Sequence, residues 1–154
     1  MILLLMTLNV VAADDSHLDK SLKHQWFWET TPTIEICPDS NITIEKISQT
    51  IDYWKSRGVE ANIDKIEKVD HCDLEKRNVI QVMGDRNLRP TEHGRTNVKW
   101  YYYGRTKYDS TLYIKASRIQ LPNEKLSNET IVLHEFGHAL GLDHTNDKIM
   151  TAYH

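Results

Sequence analysis

The sequence predicts one α+β domain, with a mostly parallel sheet and two helices packed on it. Three observations carry that prediction. Extended and helical patterns follow one another in the order strand, helix, four strands, helix. Residues 42–57 carry one apolar stripe at helical spacing. Residues 78–83, "NVIQVM", form a short apolar run suited to a central strand with both faces covered.

The first strand is expected in "HQWFWETTPTIEI". Trp26, Trp28, Thr31, Thr33, Ile34 and Ile36 are strand-favouring types, and Pro38 ends the run. The first helix places Ile44, Ile47, Ile51 and Trp54 three and four apart, on one face. Gly58 is a natural stop for it. "VEANIDKIEKV" alternates weakly through Ile63, Ile66 and Val69 and holds the second strand. The run 78–83 is the third. Residues 94–103 and 111–119 supply two more, separated by the loop "GRTKYDS". The last helix starts at Ser127 or Asn128, both good N-caps, and Gly141 should end it.

The chain has 154 residues, which suits a single hydrophobic core. Its net charge of -3 gives no electrostatic grip on nucleic acid or on an anionic membrane. Residues 1–13 hold an apolar run of about eleven residues closing on Val11-Ala12-Ala13. Such a run reads as a signal peptide cleaved after Ala13. It is too short for a membrane span, which needs about 20 apolar residues. Residues 14–154 are then the working domain, expected to be monomeric and secreted, in a periplasmic or extracellular space. The two cysteines, Cys37 and Cys72, agree with export. In an oxidising compartment they most simply form one disulfide, closing a loop of about 35 residues.

The chemistry concentrates in "HEFGHALGLDH", residues 134 to 144. Residues four apart on a helix share a face, so the imidazoles of His134 and His138 can reach one metal ion. Zinc accepts such nitrogens at about 2.0–2.1 Å. Glu135 sits about 100° round the helix from His134, placed to reach a metal-activated water without being a ligand. A catalytic zinc needs a third protein ligand and one open position. His144 can be that ligand only if the helix breaks. Six further helical residues would turn it by about 600°, nearly to the opposite face. Gly141 can adopt positive φ and so permits the break. Five such fixed positions arise by chance in about one chain of this length in ten thousand, which makes the pattern strong.

"HEFGHALGLDH" resembles the long zinc signature of the metzincin metallopeptidases. With Thr145 added, the wording is most similar to the matrixin, or matrix-metalloproteinase-type, branch. The resemblance implies a zincin-like fold: a twisted five-stranded, mostly parallel sheet with an antiparallel edge strand, placed within 94–103, and two main helices. It implies a Met-turn, with Met150 packed beneath the three histidines and binding no metal. It also implies a peptide substrate lying along the edge strand by main-chain hydrogen bonds.

The chain departs from the family's pattern in several places. Met150 follows His144 by only six residues. Tyr153 does not fall where some relatives place a metal-binding tyrosine and is assigned to the substrate pocket. The sequence stops before the usual C-terminal helix. Upstream there is no match to the segment that carries structural zinc and calcium in matrixins. Calcium is compatible with the resemblance, but no ligands for it can be named, since His71 and His93 stand isolated. No cysteine-switch motif is found, so the expectation is a minimal, non-zymogenic domain.

The expected activity is that of a zinc endopeptidase hydrolysing peptide bonds with a metal-activated water, Glu135 being the general base. Two other readings stay open at this stage. One is a zinc-stabilised binding module or inactive relative. Intact Glu135 speaks against it, because a binder needs no base there. The other is a zinc hydrolase acting on a cell-wall amide.

Overall fold

A computed structural model describes residues 18–84, 88–89, 91–103 and 111–151. The expected leader, the loop 104–110 and Tyr153 lie outside the described residues. In chain order the elements are β1 (Phe27–Trp28), β2 (Thr33–Ile36), α1 (Ile44–Ser56), β3 (Ile66–Lys68), β4 (Val79–Met83), β5 (Arg95–Tyr103), β6 (Thr111–Gln120) and α2 (Glu129–Ala139). A short 3-10 turn, Asn123–Lys125, precedes α2.

Strands β3, β2, β4 and β6 lie side by side and parallel, and β5 runs antiparallel on the far side of β6. The two-residue β1 pairs with Tyr113 and Ile114 of β6. Those residues already pair with β5 on one edge, so β1 must lie on the other, in line with β4. The mostly parallel sheet with one antiparallel edge strand matches the expectation, with five longer strands and the additional short β1. The expected first strand is thus divided. Its two parts pair with different partners, β1 with β6 and β2 with β3 and β4, and the chain between them passes through Pro32.

Strand alternation explains which side is core. Ile34 and Ile36 of β2, Ile80 and Val82 of β4 and Ile119 of β6 are fully buried beneath the two helices. Helix α1 contributes Ile47, Ile51 and Trp54, and α2 contributes Ile131, Val132, Leu133 and Phe136. Each such side chain contributes roughly 1.5–3 kcal/mol when buried. Ile44, expected in the stripe, is 44% exposed, because it is the first residue of α1 and overhangs the core. The Trp54 indole donates to the Leu133 carbonyl at 3.1 Å, tying the helices together. The intervening residues Glu35 and Gln81 point to the other face. They are buried there beside Lys76 and the Asp73 carbonyl. A disulfide between Cys37 and Cys72 pins this covering loop to the end of β2.

Helix ends follow local chemistry. Thr43 caps α1 by accepting the Lys46 amide at 3.1 Å, and Gly58 leaves it with φ +79°. Asn128 caps α2 by accepting the Ile131 amide.

Candidate metal centre

Helix α2 carries His134 and His138 one turn apart. Its last helical residue is Ala139, and Gly141 follows the cap with φ +99°. A β-carbon at Gly141 would collide with the Trp26 carbonyl. The Gly141 carbonyl in turn accepts the Gln25 amide at 2.8 Å. Both the left-handed conformation and the close approach of the Trp26 backbone therefore demand glycine here. The turn brings the chain back, and His144 joins the other two histidines. Nε2 of His138 lies 3.1 Å from Nε2 of His134 and 3.1 Å from Nε2 of His144. Two nitrogens bound at about 2.05 Å to a tetrahedral ion stand about 3.3 Å apart. The three ring nitrogens are therefore spaced for one ion, and the all-nitrogen donor set suits zinc.

Two of the rings are oriented from behind. Nδ1 of His134 lies 2.8 Å from the Ile149 carbonyl, and Nδ1 of His138 lies 2.9 Å from the Leu142 carbonyl. A carbonyl only accepts, so each Nδ1 must donate, and in the neutral ring Nε2 is then the metal-facing lone pair. His134 is buried, His138 half-buried and His144 exposed, so the centre opens to solvent on the His144 side.

Met150 is fully buried against the same helix. A β-carbon at Gly137, between the two helical histidines, would stand 2.5 Å from the Met150 sulfur. The tight turn that presents Met150 is held by Asp147, whose Oδ1 accepts the Ile149 amide at 2.8 Å and the Met150 amide at 3.1 Å.

Glu135 is buried and faces β5. Its Oε2 lies 2.6 Å from the Thr96 hydroxyl, which also lies 2.9 Å from the Glu135 carbonyl. A side chain at Gly94 would come within 2.9 Å of the Glu135 carboxylate, so glycine leaves the space it fills. Burial pushes the Glu135 carboxyl up to about 7; the Thr96 hydroxyl pulls it part-way back, and the Glu92 charge adds to the rise. A carboxyl poised there can hold and release a proton near neutral pH.

The fold brings His134, His138 and His144 together, with Gly141 at the break after α2 and Met150 packed against Gly137. Cys37 and Cys72 meet as the predicted disulfide. Thr96, Gly94, Gly137 and Asp147 were not anticipated. The first two reach the site through sheet pairing that no local pattern encodes.

Comparison with curated proteins and comparison with solved structures each return no significant match. Among the described residues, no helix is long and apolar enough to cross a membrane. The matrixin family model matches residues 11–154, nearly the whole chain, so this protein belongs to the matrixins, a family of zinc-dependent peptidases.

Proposed function

We propose that the chain is an exported zinc endopeptidase, with residues 1–13 as its leader and 14–154 as a monomeric catalytic domain. In this reading His134, His138 and His144 hold one zinc ion, and Glu135 is the general base. The observation that carries the reading is the convergence of the three Nε2 atoms beside a buried carboxylate on the neighbouring position of the same helix.

Bound zinc supplies Lewis acidity toward water and toward a peptide carbonyl. The rest falls to the chain's own residues. The Ile149 and Leu142 carbonyls keep two imidazoles in the tautomer that presents Nε2. Glu135 takes a proton from the attacking water and delivers it to the leaving amine. Thr96 serves both states of that carboxyl. It donates to Oε2 when Glu135 is ionised. When Glu135 is protonated, it accepts from Oε2 and donates to the Glu135 carbonyl instead. Strand β5 has β6 on one edge only among the described residues, and its Thr96 touches Glu135. An extended peptide adding to the other edge of β5 would lie across the base. Tyr153 is assigned to the pocket for the substrate side chain. The Cys37–Cys72 disulfide supports an oxidising location.

The test is cleavage of a fluorogenic peptide library by zinc-loaded protein. Cleavage should vanish with a chelator and return on zinc addition. Zinc-loaded protein that binds peptides without cleaving them supports a binding module. Cleavage confined to cell-wall fragments supports an amide hydrolase of that class.

A further inference from the structure

Asp147 is buried, and only one of its carboxylate oxygens is taken up by the Met150 turn. The other, Oδ2, accepts from Nη2 of Arg57 at 2.8 Å. Arg57 is the capping residue at the end of α1 and lies 90 positions away in sequence. Its guanidinium rests over the rings of Tyr53 and Trp54, with its carbon 5.9 and 5.8 Å from their centroids. The same Nη2 also donates to Asp19 Oδ2 at 2.6 Å, and Nε reaches that oxygen at 3.1 Å. One planar fork therefore joins the N-terminal segment, the end of α1 and the Met150 turn.

This turn also orients the metal centre. The carbonyl that fixes His134 is that of Ile149, and the Ile149 amide is held by Asp147. We propose that Arg57 is a positioning residue for the metal centre: by holding Asp147 it fixes the Ile149 carbonyl and hence the His134 ring. The proposal rests on the reading that His134, His138 and His144 hold a metal ion. Without Arg57, Asp147 is a buried carboxylate with no countercharge, its Oδ2 left with the Ser21 hydroxyl at 3.3 Å, and it gains by turning toward water. Oδ1 then leaves the Ile149 and Met150 amides, and the carbonyl behind His134 loses its fixed place. Packing of Met150 on Gly137 is the competing support; were it enough to hold the turn by itself, loss of Arg57 would leave the Ile149 carbonyl and the His134 ring in place.

The experiment uses the full chain, wild type and the variants Arg57→Gln, Arg57→Lys, Asp147→Asn and Asp19→Asn. Zinc affinity is measured by competition with a chromophoric chelator, ligand geometry by the visible spectrum of the cobalt-substituted protein, and folding by thermal unfolding without metal. Arg57→Gln and Asp147→Asn should bind zinc about 10–100-fold more weakly, the range seen when outer partners of metal-binding histidines are lost. Their cobalt spectra should change. Asp19→Asn keeps the Arg57–Asp147 pair and should stay within about threefold of wild type, well short of that range. Arg57→Lys keeps the charge but cannot fork, and should fall between. A lower melting temperature with wild-type affinity and an unchanged cobalt spectrum would make Arg57 a stabiliser of the fold alone and overturn the proposal. Should Arg57→Gln fail to fold, wild-type affinity and spectrum in Arg57→Lys overturn it equally. Wild-type protein that binds no zinc removes both this proposal and the functional reading beneath it.

Discussion

Gly137 and Met150 pack against each other at the middle of helix α2: the methionine sulfur lies 2.5 Å from where a β-carbon on Gly137 would stand. Glycine inside a helix is ordinarily unfavourable by about 1 kcal/mol relative to alanine. On propensity alone, Gly137→Ala should stabilise. The contact reverses that sign, because Met150 is fully enclosed and Trp54 closes the other side at 3.0 Å. Overpacking of this kind costs roughly 1–3 kcal/mol. Urea unfolding of Gly137→Ala should show a net loss of stability. A gain would mean that Met150 has room to move aside.

The Thr96 hydroxyl favours the ionised form of Glu135. Thr96→Val removes that hydroxyl at nearly constant volume, so the Glu135 pKa should rise. A base works only when deprotonated, and the acid limb of kcat/KM should therefore move to higher pH. An unmoved acid limb would take Thr96 out of the proton chemistry.

Glu135 also makes the metal-free protein sensitive to pH. Its folded pKa, about 7, lies above the ordinary 4.5. A raised acid contributes its full share of stability below 4.5 and loses it as pH rises through 7. The loss by pH 8 is roughly 3 kcal/mol from this group. Glu135→Gln does not titrate. The metal-free variant should therefore be more stable than metal-free wild type at pH 8, with the difference shrinking toward pH 5. Chemical denaturation at the two pH values measures it, and equal stabilities at pH 8 would contradict the burial argument.

The Cys37–Cys72 bridge closes a separation of 35 residues. Chain entropy alone assigns such a loop roughly 4 kcal/mol. The bridge also pins the loop that covers buried Glu35 and Gln81. The double replacement by serine should lower stability by about that much, read by denaturant unfolding, with the zinc affinity little changed. A collapse of zinc binding at unchanged stability would place the bridge's role at the metal centre instead.

Much of this structure was legible because it is local. Thr43, Asn128 and the glycines 58 and 141 mark helix ends by their own chemistry, and the ends fall beside them. The 134, 138, 144 spacing with Gly141 predicts three converging histidines, and they converge. What was not legible depends on partners distant in sequence. Thr96 meets Glu135 only because β5 lies beside α2, and Arg57 meets Asp147 only because the end of α1 reaches the Met150 turn. Residues 26–36 read as one strand, since strand propensity carries no information about which neighbour each half will find. Ile44 fits the helical stripe by spacing, yet periodicity cannot say how far the core extends beneath the first turn.

The central claim is that three histidines and Glu135 form one hydrolytic centre. Paired measurement of zinc content and peptide cleavage in wild type and Glu135→Ala tests it most directly. The account predicts one zinc per chain in both proteins and cleavage slowed about 100- to 10,000-fold in the variant. A variant that cleaves as fast as wild type, at equal zinc content, would contradict it.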